Sequence, residues 1–328
     1  MSHTTACRIN TKFTDLMGVD HPIVLAPMAG VSGGALAAAV GRAGGLGLIG
    51  GGYGDASFIE REFALAAGEQ VGVGFITWSL AQKPELLDQA LNQKPKAVML
   101  SFGDISPFSA KIKKAGATLL VQVQNLEQAH QAAGLGADII IAQGTEAGGH
   151  GASRATLPLV PAVVDDLQNT PILAAGGIAD GRGLAASLTL GASGVLMGSR
   201  FYACEESLAP VEAQRTAVQA SGDNTIRSSV FDTLRGLDWP APYNLRSLVN
   251  TSTQQWHLQL PALERHLSTE QPKFRQAVDK RDFDIAPVIV GEGVDLIREV
   301  KPAQDIVQAC IEEAIECLTK PQHYTIGT

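Results

Sequence analysis

The chain has 328 residues, 45% of them hydrophobic and 18% charged, with 35 glycines and a formal net charge of -8. At roughly 150 residues per domain it can hold two domains or one large α/β barrel with an elaboration, and its apolar content excludes intrinsic disorder. The acidic balance excludes a surface built for nucleic acid or anionic membrane, which needs an excess of Lys and Arg. The first residues, MSHTTACRINTK, have no apolar core or cleavage site, so no signal peptide is expected. Pro22 to Gly41 carries no charge but is broken by Pro27 and several glycines, so it is not read as a membrane span. Cys7, Cys204, Cys310 and Cys317 form no C-x-x-C pair and show no metal-ligand spacing. The expectation is a cytoplasmic enzyme with reduced thiols, no bound metal, and a state that is either monomer or homodimer.

A period emerges along the chain. Short apolar runs begin near positions 22 (PIVLAPM), 45 (GLGLIGGG), 70 (QVGVGFIT), 95 (PKAVMLSFG), 118 (TLLVQVQ), 138 (DIIIAQG), 171 (PILAAGG) and 194 (GVLMGSR). Helix-patterned stretches such as GALAAAVGRAG, KPELLDQALNQ, NLEQAHQAAGLG and GRGLAASLTLGA lie between them. Near-continuous apolar strands are what a parallel sheet buried on both faces requires, so the fold class is α/β, a (β/α)8 TIM barrel. The interval between the sixth and seventh strands is longer than the others, and the excess lies in GTEAGGHGASRATL, just after a strand. Barrel enzymes carry their chemistry on such loops. After MGSRF the pattern stops. Residues 206–290 read as a mainly helical cap inserted after strand eight, and residues 291–328 return to the barrel domain formed by 1–205. In the returning segment Val307, Cys310, Ile311, Ala314 and Leu318 fall on one face of a final helix.

Two glycine-bearing strand ends carry the strongest signal. Strand seven ends in Ala175-Gly176-Gly177 and strand eight in Met197-Gly198-Ser199, where barrels often hold a phosphate on backbone N–H groups. Gly45 to Gly50 matches G-x-G-x-x-G but lies inside a strand, so it is not a Rossmann turn. His150, in Glu146-Ala147-Gly148-Gly149-His150-Gly151, is the candidate for moving protons. The other six histidines have no supporting context. Gln122 and Gln143 are amides near strand ends; each either binds a heterocycle or serves loop backbone. Glu146 either orients His150 or caps a turn.

Ala26-Pro27-Met28, AGGLGLIGGG, GVGFITW, AQGTEAGGHG, AAGGIADGRG and LMGSRF together resemble the nitronate monooxygenase family, formerly the 2-nitropropane dioxygenases. The likeness spans about the first 205 residues, with GEGVDLI and the last helix as a weaker echo. Flavin enoyl-acyl-carrier-protein reductases and NADH:quinone reductases share similar segments; Ala-Pro-Met, where those reductases often have Gly-Gly-Met, favours the monooxygenase. The resemblance implies non-covalent FMN, with Ala26, Met28, Gly74, Gln122, Gln143 and Gly148 around the ring and ribityl chain. It implies that Gly176, Gly177, Leu196, Met197, Gly198 and Ser199 hold the phosphate and that His150 is catalytic. It also implies that alkyl nitronates, and nitroalkanes if His150 acts as a base, are oxidised by O2 to carbonyl compounds and nitrite. The runner-up is an NAD(P)H-dependent FMN reductase of enoyl thioesters or quinones. Gly74 stands where many relatives have asparagine, and Glu292 where glutamine is common.

Overall fold

The computed structural model describes residues 8–320; Cys7, His3 and His323 lie outside them. Six parallel strands, β1 (Ile23–Leu25), β2 (Leu48–Gly50), β3 (Gly72–Ile76), β4 (Ala97–Ser101), β5 (Thr118–Val123) and β6 (Ile139–Gln143), precede a short strand β7 (Gly149–Gly151). Then come β8 (Ile172–Ala175) and β9 (Gly194–Met197). The sheet order is β1-β9-β8-β6-β5-β4-β3-β2, and a parallel bridge between Val24 and Leu46 joins its two edges into a barrel.

Side chains alternate across this wall. Val24, Leu48, Met99, Leu120, Ile141, Leu173 and Leu196 fill the interior. Their neighbours Val73, Val98, Leu119, Val121 and Ile140 pack outward against the helices. This two-sided burial explains why the strands read as apolar runs. The floor is closed by the helix Lys12–Met17, whose Phe13 is fully buried against the interior cluster. Burying such a ring contributes about 1.5–3 kcal/mol. The last helix, Ala303–Thr319, packs against helices Gly181–Thr189 and Gly34–Arg42 and completes the outer layer. Its buried face holds Val307, Cys310, Ile311 and Ala314, but Leu318 is exposed, so the apolar stripe ends one turn earlier than its spacing suggests.

Residues 206–290 add helices, including Val211–Val218, Val230–Arg235 and Leu267–Lys280. They also supply two strands that the sequence pattern did not show, β10 (Thr225–Ser228) and β11 (Asn244–Leu248). These form an antiparallel sheet in the order β10-β11-β7, with Leu245 opposite His150. The barrel loop is thereby tied to the segment above it. No helix among the described residues is long and apolar enough to cross a membrane.

Candidate active site

A cavity opens at the C-terminal ends of the barrel strands. Of the predicted residues, Ala26, Met28, Gly74, Gln122, Gln143, Gly148, His150, Gly176, Gly177, Leu196, Gly198 and Ser199 line it. Met197 does not. Its side chain is fully buried in the outward cluster, because strand alternation turns it away from its interior neighbour Leu196. Only its backbone serves the rim, with its carbonyl accepting from the Ala26 N–H at 2.9 Å.

The glycines have separate physical reasons. A Cβ at Gly74 would lie 2.3 Å from Pro27 Cγ, so the proline ring occupies the space that an asparagine needs. A Cβ at Gly148 would lie 2.5 Å from the carbonyl carbon of Val290, so this glycine lets the returning segment approach. Gly176 and Gly177 have φ of +104° and +73°, in the region that only glycine adopts readily. Gly198 precedes the helix Ser199–Tyr202, whose first N–H groups have no intrahelical partner. The Ser199 hydroxyl accepts from the Gly291 N–H at 2.8 Å and thus anchors the returning segment. Gly176, Gly177, Gly198 and Ser199 line one part of the cavity with backbone N–H groups and Met28, Gly74, Gln122 and Leu196 line another, a set that fits the phosphate and flat ring of a flavin cofactor.

His150 sits on β7 and is buried. Its Nε2 lies 2.9 and 3.0 Å from the two carboxylate oxygens of Asp232, on the helix Val230–Arg235. The Trp239 ring stacks on the imidazole, with centroids 3.3 Å apart and planes within 7°. Phe102, at φ +63° just past β4, packs in a T-shaped arrangement with both rings. Burial pushes the His150 pKa below its ordinary value of 6.5, and the neighbouring Arg235 and Arg227 act in the same direction. Asp232 opposes the shift without reversing it. Burial thus favours the uncharged form of the imidazole.

Two polar residues left open by the sequence have partners within the protein. Glu146 does not orient His150: its carboxylate accepts from the backbone N–H and hydroxyl of Thr156, at the start of the helix Thr156–Asp166. Gln143, in the cavity lining, accepts from Gln124 Nε2 at 2.8 Å and donates to the His150 carbonyl at 3.1 Å. Gln122 lies one strand away with its side chain in the cavity wall.

Sequence reasoning missed the residues that support this loop. The Arg227 guanidinium donates to the carbonyls of Thr145, Ala147, Gly149 and Asn244. Arg246 donates to the Thr145 carbonyl and pairs with Glu292 at 2.8 Å. Asp232 and Trp239 were also missed. A buried carboxylate partner for an imidazole has no local sequence signal, and neither does the stacking of Trp239 on its face.

Comparison with known proteins places the chain among related sequences and folds. The family profile described as nitronate monooxygenase matches residues 10–66 and 76–313. The nitronate monooxygenase npaC of Metarhizium robertsii is 35% identical over 90% of this chain and 92% of its own length. FabK from Thermotoga maritima superposes with a TM-score of 0.81 at 30% identity, covering 94% of this chain and 97% of that one. The nitroalkane oxidase of Streptomyces ansochromogenes gives 0.79 at 29% identity, covering 94% and 99%.

Proposed function

The chain belongs to the nitronate monooxygenase family, and from that premise we propose that it is an FMN-dependent oxidoreductase of alkyl nitronates. In this reading O2 is the co-substrate, and a carbonyl compound and nitrite are the products. The observation that carries it is the meeting, in one cavity, of the glycine-bearing strand ends with a buried imidazole.

Ala26, Met28, Gly74 and Gln122 would flank the isoalloxazine and ribityl chain, while Gly176, Gly177, Gly198 and Ser199 would hold the phosphate through backbone N–H groups. Leu196 would contribute apolar contact from the barrel interior, and Gly148 would let the loop that carries His150 pass close to the ring. Bound FMN would supply the electron transfer to O2, chemistry that no side chain in the cavity provides. The protein's own residues place the substrate and manage its proton. Neutral His150 suits removal of the α-proton from a nitroalkane better than pairing with a nitronate anion, because pairing needs the imidazolium that burial disfavours. Residues 206–290 would shape the substrate end, since they contribute Arg235, Trp239 and Leu245 to the lining.

The test is steady-state turnover of propyl nitronate by the FMN-loaded protein, with oxygen uptake and nitrite followed together. The reading expects both in step with protein concentration. Absence of both, with NADH- or NADPH-driven reduction of an enoyl thioester or a quinone in their place, would establish the reductase instead.

A further inference from the structure

We propose that Asp232 is a positioning residue that fixes His150 in the Nε2–H tautomer, so that Nδ1 is the nitrogen that takes a proton from a carbon acid in the cavity. This deepens the reading of the site given above and rests on it for the identity of the substrate.

Both recorded partners of Nε2 are carboxylate oxygens of one buried aspartate, at 2.9 and 3.0 Å. A carboxylate only accepts, so Nε2 must donate, and a neutral imidazole then has its lone pair on Nδ1. Asp232 is 3% exposed and lies in the first turn of the helix Val230–Arg235, where a negative side chain is favoured by the helix end. Trp239, stacked over the ring face, blocks rotation out of this plane, and the Trp239 indole N–H is itself tied to the Tyr53 hydroxyl at 3.0 Å. The Gln143 amide holds the backbone of the same residue through its carbonyl. The ring is therefore held by its face, its far nitrogen and its main chain.

The step balances simply. The C–H bond beside the nitro group breaks, an N–H bond forms at Nδ1, and the bonding pair delocalises onto the nitro oxygens, giving the nitronate. The imidazolium so formed is buried, and the charged groups facing it are Asp232, Arg235 and Arg227. The two guanidinium groups disfavour it; the one carboxylate is what makes it tolerable. A substrate that arrives already as the nitronate needs no such transfer.

Two measurements test this. The first is NMR of the FMN-loaded protein with isotope-labelled histidine, assigned by comparison with His150→Asn; a bare Nδ1 and protonated Nε2 at neutral pH are expected. The second compares Asp232→Asn with the wild type on nitroethane and on pre-formed ethyl nitronate. Turnover of nitroethane should fall by about 100-fold or more, within the range that positioned acid–base groups supply, while turnover of the nitronate stays within about threefold. The limb of the nitroethane profile that falls toward acid should move to lower pH, because the carboxylate that raised the imidazole's pKa is gone. An Nδ1–H tautomer in the wild type overturns the proposal, as does equal loss on both substrates or an unmoved limb. If Asp232→Asn does not fold, the wild-type tautomer decides. If neither nitro compound is turned over by the wild type, the functional reading fails while the tautomer measurement still answers for Asp232.

Discussion

Gly74→Ala is a one-carbon change with a large steric consequence. Its Cβ would lie 2.3 Å from Pro27 Cγ and 2.5 Å from Pro27 Cβ, against the ~3.5–4.0 Å at which carbon atoms rest. The proline ring cannot rotate away, so the end of β1 or β3 must move by about an ångström. Overpacking of this kind costs roughly 1–3 kcal/mol, and at about 2–4 °C per kcal/mol the melting temperature should fall by roughly 2–12 °C. Flavin binding should weaken in parallel, since Ala26 and Met28 flank the displaced proline in the cavity wall. Urea denaturation followed by circular dichroism measures the cost. A double-mutant cycle with Pro27→Gly isolates its cause, because removing the ring should restore roughly 1 kcal/mol or more to the Gly74→Ala background. A neutral Gly74→Ala, or strictly additive effects, would refute the contact as the reason that this strand carries glycine.

Three further outcomes are expected. His150→Asn should lose turnover of neutral nitroethane by about 100-fold or more while keeping most of its turnover of pre-formed nitronate; equal loss in the two assays would mean that the residue binds the anion instead. The folded-state pKa of His150 is depressed, so the unfolded chain binds more protons in the window below about 6.5. Its contribution to stability is complete above that pH and is lost as pH falls from there toward the folded value. Urea midpoints taken from pH 7.5 down to 5 should therefore fall more steeply for the wild type than for His150→Asn, and identical slopes would contradict the burial argument. Arg227→Met should destabilise the protein by about 3–5 kcal/mol, since it strips donors from four backbone carbonyls and leaves Glu146 and Glu292 with less counter-charge. Unchanged unfolding would show that water replaces the guanidinium.

The barrel was legible because its signal is local and repeated. Most of the barrel strands carry apolar residues on both faces, and turns such as Gly44 and Gly191 mark where helices end and strands begin. The Gly176-Gly177 and Gly198-Ser199 ends could be placed on the same rim because their strands are adjacent in any such barrel. The accessory sheet was illegible for the opposite reason. Strand β10 is Thr-Ile-Arg-Ser and β11 is Asn-Leu-Arg-Ser-Leu; Arg227 and Arg246 serve the loop that carries His150, so neither strand shows an apolar face. Gly149-His150-Gly151 has no strand propensity at all and pairs only because β11 is beside it. Asp232 lies 82 residues from His150 in the chain, and nothing in VFDTLRG distinguishes a buried hydrogen-bond partner of an imidazole from a surface carboxylate. Met197 was assigned to the phosphate seat as part of a motif. Alternation along β9 separates it from Leu196, a distinction that motif reading passes over but strand geometry makes at once.

The most direct test is anaerobic rapid mixing of the FMN-loaded protein with propyl nitronate in one syringe and NADH or NADPH in another. The account predicts that the nitronate bleaches the visible absorption of the oxidised flavin and that admission of O2 restores the colour. Rapid bleaching by a nicotinamide, with none by the nitronate, would contradict it.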